Sequence, residues 1–234
     1  MPDCYSHPAY LRDELQEAFG RFPLFNFWGP HANIKSTNWI ADASIYVDKK
    51  YDATLTFIYL PHLDYCLQKF GVDFEKIKGD LKEIDQVVER LITHFESKGA
   101  KVIILSEYGI NNVSQPIHLN RILRESGYIA LREEQGLELL DPGASRAFAV
   151  SDHQIAHIYC PDTSVIDEVK LLLMQTRGVK KVLSGNELAA YHIDHPRTGD
   201  LVLIADTDAW FTYYYWLDDK KAPDFARCRS EERR

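Results

Sequence analysis

Residues 52–64 read DATLTFIYLPHLD, and residues 101–109 read KVIILSEYG. From Asp52 to Tyr59 the first stretch is dense in β-branched and aromatic residues, then breaks at Pro61. That is the pattern of a buried, central strand followed by a turn. Lys101 to Leu105 is a second apolar run, closed by a polar segment and Gly109. Between them, Phe74 to Gly99 carries Ile77, Leu81, Ile84, Val87, Val88, Leu91, Ile92 and Phe95 at helical spacing, with Gly99 as the stop. A strand, a long helix and a second strand in this order predict a parallel, right-handed βαβ unit.

Upstream, Leu11, Leu15 and Phe19 recur at four-residue steps and predict a helix over Pro8–Phe19, ended by Gly20. Ser36 to Lys50 reads as a second helix, with Ser36 or Thr37 as its N-cap and Trp39, Ile40, Ala43 and Tyr46 or Val47 as its buried stripe. Downstream, Gln115 to Ser126 reads as a helix closed by Gly127. Tyr128–Arg132 and Glu138–Leu140 read as a hairpin, and Arg146–Val150 and Gln154–Cys160 as two strands. A helix over Ser164–Thr176, a strand over Val179–Leu183, a short helix over Asn186–Ala190 and a strand over Leu201–Ala205 follow. The alternation predicts an α/β fold in one domain over residues 1–226, with a charged, frayed tail at 227–234.

The chain has 234 residues, 45% hydrophobic and 26% charged, with a formal net charge of −8. An acidic balance argues against nucleic acid and anionic membranes as partners. No apolar run reaches the ~20 residues of a membrane span, and the N-terminus lacks the basic and apolar regions of a signal peptide. Cys4, Cys66, Cys160 and Cys228 are scattered without a CxxC pair, which predicts free thiols and a cytoplasmic protein.

Ligands of α/β folds sit beyond the C-terminal ends of parallel strands. That rule selects Leu60–Tyr65 and Ser106–Gly109. Asp64 there is a candidate cation ligand or a helix-turn cap, and Glu107 either joins it or stays a solvated carboxylate beside a packed Tyr108. His153 and His157 are spaced i, i+4 within a strand pattern. About 13 Å then separates them, too far for one metal. His153 and His62 remain candidate cleft residues. The segment His192 to Arg197 reads as a surface turn, with Arg197 a candidate phosphate contact. The aromatic run Trp210 to Trp216 reads as core or edge packing before it reads as a stacking platform.

The pair of motifs, Tyr-Leu-Pro-His-Leu-Asp64 and Ser-Glu107-Tyr108-Gly, resembles the strand-end motifs of the type I phosphodiesterase/nucleotide pyrophosphatase family of the alkaline-phosphatase superfamily. The resemblance runs over nearly the whole chain. It implies a three-layer α/β sandwich with a mostly parallel central sheet. It also implies hydrolysis of phosphodiester or pyrophosphate bonds in a small phosphate-ester or nucleotide substrate, with divalent metal ions (zinc, manganese or magnesium) as cofactors. Asp64, Glu107 and Tyr108 are the metal ligands it implies, with His62 and His153 lining the substrate cleft.

The departures are specific. The family's His after the first Asp falls near Gln68, a poor zinc ligand, and the family's Asp-His becomes Glu107-Tyr108. No strand–Thr–helix element precedes Asp64, and Thr37 reads better as a cap than as a nucleophile. The expectation is therefore a truncated, C-terminal portion with no catalytic nucleophile. Such a chain would have weak or no activity, or would be a non-catalytic binding or assembly module of the same fold. Its exposed sheet edge predicts self-association, a homo-oligomer.

Overall fold

The structure, a computed structural model, describes residues 4–227. The expected tail at 227–234 lies almost wholly outside the described residues. The chain divides into two compact units, one running to Ile110 and the other starting at Asn111.

The first unit is helical. Helix α1 (Tyr10–Phe19) buries Leu11 and Leu15 and stops at Gly20, whose φ of 77° suits a residue without a Cβ. Helix α2 (Ile34–Tyr51) starts earlier than its sequence suggests. Asn33 is the N-cap, its side chain accepting from the Lys35 amide. Ser36 and Thr37 lie inside the first turn and are buried. The Ser36 hydroxyl donates to the Asn26 carbonyl, while the Thr37 hydroxyl has no hydrogen-bond partner. Thr37 is thus neither cap nor accessible nucleophile. Helix α3 (His62–Phe70) follows Pro61, and helix α4 (Phe74–Ser97) is capped by Asp73. Ala41 from α2 and Val87 and Leu91 from α4 form a shared core, against which Ile58 and Leu60 also pack.

The two runs that open the sequence argument differ from expectation. Neither Asp52–Tyr59 nor Lys101–Leu105 is assigned to a strand, and neither pairs with another segment among the described residues. Ile58 and Leu60 turn inward, while Phe57 is 87% exposed and Leu105 82%. The alternation at 57–60 is that of one covered and one open face. A parallel ladder needs a neighbour for every edge and a layer on both faces. The described residues supply helical cover on one side of the first run and no ladder. The expected mostly parallel central sheet is therefore not formed among them.

The second unit is built on β-structure that is largely antiparallel. Strand β1 (Gln115–Ile117) precedes helix α5 (Leu119–Glu125), where the sequence suggests a single helix. Strands β2 (Ala130–Glu134) and β3 (Leu137–Asp141) form the expected hairpin. Strands β4 (Phe148–Asp152) and β5 (Ile155–Tyr159) form another, followed by helix α6 (Ile166–Met174), strand β6 (Val179–Ser184), helix α7 (Asn186–Ala190) and strand β7 (Leu201–Ala205). Strand β8 (Ala209–Phe211) pairs in parallel with β1, and helix α8 (Asp224–Arg227) is the last described element.

The main sheet has the order β4-β5-β7-β6, antiparallel throughout. Its core combines Leu119 and Leu123 of α5, Val169 and Leu173 of α6, and Ile158, Leu201, Leu203 and Phe211 of the strands. Full burial of a side chain such as Phe211 contributes about 1.5–3 kcal/mol. Edge strand β4 is closed by Asn120 of α5. Its amide donates to the Ala149 carbonyl at 2.8 Å and accepts from the Ala149 amide at 2.7 Å. A buried side chain thereby satisfies backbone groups that an unpaired edge would leave open.

Candidate functional site

Pro61 ends the first apolar run, and α3 begins at His62, so Asp64 falls in the first turn of that helix. A carboxylate there complements the helix dipole. The Asp64 carboxylate is held from two directions. The Tyr108 hydroxyl donates to Oδ1 at 2.6 Å, and the Gln68 amide reaches Oδ1 at 3.1 Å and Oδ2 at 3.0 Å. Gln68 lies one helical turn on, at i+4. Tyr108 comes from the segment after the second apolar run, and Ser106 pins that turn by donating to the Tyr108 carbonyl at 2.6 Å.

The phenol of Tyr108 is pushed well above its ordinary value, first by its bond to Asp64, then by burial and the negative charge around it. Tyr59 is also raised, by burial and then by Asp64 and Glu107. Both carboxylates therefore act on the same two phenols and share one neighbourhood. Asp64, Glu107 and Tyr108 all belong to the first unit.

The oxygens around Asp64 come from two carboxylates and a phenol, while Gln68 faces the Asp64 carboxylate with its amide nitrogen. Such a set suits magnesium or manganese better than zinc. Asp64 retains lone pairs beyond those used by Tyr108 and Gln68. A protonated Tyr108 orients Asp64 as a hydrogen-bond donor, and the two carboxylates are the groups that fit a hard divalent cation.

His62 lies at the start of α3 with its side chain 3% exposed, turned away from solvent rather than lining an open cleft. Its neighbours are Asp80 and Glu83 of α4. His153 belongs to the second unit. It sits in the turn between β4 and β5 with a φ of 54°, its side chain 80% exposed and its carbonyl accepting from the Phe211 amide at 2.7 Å. His157 is on β5, where its Nδ1 accepts from the Gly199 amide at 3.1 Å. Arg197 meets Tyr159 through its backbone carbonyl. The aromatic run is core in part. Phe211, Tyr215 and Trp216 are buried, and the Trp216 indole donates to Asp219 at 3.0 Å.

Cys66 and Cys160 are free thiols, the Cys4 sulfur accepts from the Gln16 amide at 3.7 Å, and Cys228 lies outside the described residues. Burial pushes the Cys66 and Cys160 thiols up to about 11, which leaves them protonated and unreactive at neutral pH. Among the described residues no helix is long and apolar enough to cross a membrane.

The α/β architecture is shared with solved structures of other proteins. Phosphonoacetate hydrolase from Sinorhizobium meliloti 1021, in complex with phosphonoformate, superposes with a TM-score of 0.58 at 17% identity, over 88% of this chain and 48% of that one. Its phosphonoacetate complex gives 0.56 at 17% identity, over 85% and 46%. Murine ectonucleotide pyrophosphatase/phosphodiesterase 5 in complex with AMP gives 0.55 at 19% identity, over 76% and 46%. The chain spans about half the length of these proteins, and at such identities the likeness establishes the fold, an alkaline-phosphatase-like one. No curated protein matches the sequence. The family model of type I phosphodiesterase / nucleotide pyrophosphatase matches residues 2–228, and the chain belongs to that family.

Proposed function

We propose that this chain is a phosphodiesterase/pyrophosphatase-type hydrolase domain whose Asp64 and Glu107 hold a divalent cation, magnesium or manganese before zinc, for a small phosphate-ester or nucleotide substrate. The observation that carries the reading is the junction of the two motifs: the Tyr108 hydroxyl on the Asp64 carboxylate across 44 residues of chain. A bound cation would supply Lewis-acid polarisation of a phosphoryl oxygen. It would also offset the repulsion between two carboxylates and an anionic substrate. Asp64 and Glu107 bind, and Tyr108 and Gln68 orient Asp64. Among the described residues no side chain near Asp64 offers an activated nucleophile, and the reading therefore expects slow turnover.

A second reading is a non-catalytic binding module. It is favoured by the Asp64 oxygens that already accept from Tyr108 and Gln68. Hydrolysis of bis(p-nitrophenyl) phosphate with added magnesium, manganese or zinc separates the two. Metal-dependent turnover that is lost in Asp64→Ala supports the hydrolase. Absence of turnover with every metal, together with nucleotide binding retained in Asp64→Ala, leaves the binding module.

A further inference from the structure

We propose a second cation site, built from His62, Asp80 and Glu83 and distinct from the Asp64 carboxylate. His62 opens α3, and Asp80 and Glu83 lie one turn apart on the same face of α4. The imidazole Nε2 is 3.3 Å from Asp80 Oδ1 and 3.4 Å from Glu83 Oε2. One ligand atom from each of the three residues lies within 4.8 Å of the other two.

Three features favour a cation over a plain ion pair. The His62 side chain is 3% exposed, yet neither ring nitrogen has a hydrogen-bond partner. Buried polar atoms are normally satisfied, and leaving one unpaired is costly. The spacing is also wrong for an imidazolium donating to carboxylates, where N···O distances fall near 2.7–2.9 Å. With ligand bonds near 2.1 Å, however, tetrahedral geometry places two ligand atoms about 3.4 Å apart. The observed 3.3 and 3.4 Å match that edge. Finally, Asp80 and Glu83 bring two carboxylates to one imidazole, and a divalent cation offsets their charge.

One imidazole nitrogen with two carboxylate oxygens is a donor set for zinc rather than for magnesium or calcium. Asp80 and Glu83 are 30% and 52% exposed at their side chains, so the fourth position opens to solvent and takes water. The site lies within the first unit and does not depend on the Asp64 reading.

The test is zinc titration of the intact, chelator-stripped chain by calorimetry, with His62 imidazole resonances followed by NMR. With excess magnesium present to occupy the Asp64 carboxylate, one equivalent of zinc should bind and shift the His62 Nε2 resonance. Asp80→Asn and Glu83→Gln, at partly exposed positions that leave the helix intact, should each weaken zinc binding at least tenfold. His62→Gln should abolish binding at this site, and Asp64→Asn should leave the zinc-induced shift of the His62 resonance in place. Undetectable zinc binding overturns the proposal, as does affinity unaltered in both carboxylate variants. Zinc binding weakened only by Asp64→Asn also overturns it, while leaving the Asp64 site standing.

Discussion

Tyr108→Phe removes one oxygen atom and, with it, the 2.6 Å bond that ties the two motif segments together. Hydrogen bonds to charged groups contribute about 1.5–3 kcal/mol when shielded from water. Tyr108 is 51% exposed and Asp64 only partly buried, so solvent screening brings the loss below that range, to about 1 kcal/mol. In a chain of this size that lowers the melting temperature by about 2–4 °C. The bond also leaves a pH signature. The folded state holds the Tyr108 proton more tightly than the unfolded chain does, because Asp64 accepts it. Its stabilisation is therefore full below the ordinary tyrosine range, near pH 10, and is lost as pH rises through the raised folded value. Thermal melts of wild type and Tyr108→Phe between pH 7 and higher pH should converge at the alkaline end. Selective labelling of the tyrosine ring carbon bearing the hydroxyl reports the titration directly. A variant that melts with wild type at pH 7, together with a Tyr108 resonance titrating like a free tyrosine, would refute the contact.

Two further outcomes follow from the packing. Gly199→Ala places a Cβ 2.6 Å from the Ile158 carbonyl oxygen and 2.9 Å from its amide nitrogen, backbone atoms that cannot swing away; the cost is about 1–3 kcal/mol, read as a lowered denaturant midpoint with an unchanged slope. Asp48 is buried between His94 at 2.7 Å and Lys98 at 2.9 Å, and the Lys98 ammonium, with His94, holds its carboxyl below the usual range against the opposing effect of burial. Its contribution is present above the unfolded carboxyl value, about pH 4, and is lost as pH falls through the lower folded value. Asp48→Asn should therefore destabilise at pH 7 by about 2 kcal/mol and make the acid limb of the stability curve shallower, as followed by circular dichroism.

The helices were the most legible part of the chain. Leu11 and Leu15, or Ile77, Val87 and Leu91, mark a buried face that depends only on residues a few positions apart, and Gly20 and Gly99 mark ends that are equally local. Asn33 was missed as a cap because Ser36 and Thr37 offer the same chemistry a turn later, and only the approach of the Asn26 carbonyl to Ser36 decides between them. The Asp64 and Glu107 neighbourhood was reachable from the strand-end rule and from the motif resemblance. The His62 cluster was not, because Asp80 and Glu83 look like any solvated acidic pair on an amphipathic helix until α3 lays a buried imidazole against them.

Sequence alone determined the α/β character, the hairpin at 130–141, the two strands within 148–159 though not their pairing, and the positions of the acidic residues beyond the two apolar runs. Tertiary structure decided which carboxylate meets which partner, and that Phe57 and Leu105 face outward rather than into a sheet. The physical reason is range. Helices and hairpins close hydrogen bonds between near neighbours in the chain, whereas a parallel ladder or a side-chain cluster requires a partner that no local pattern encodes.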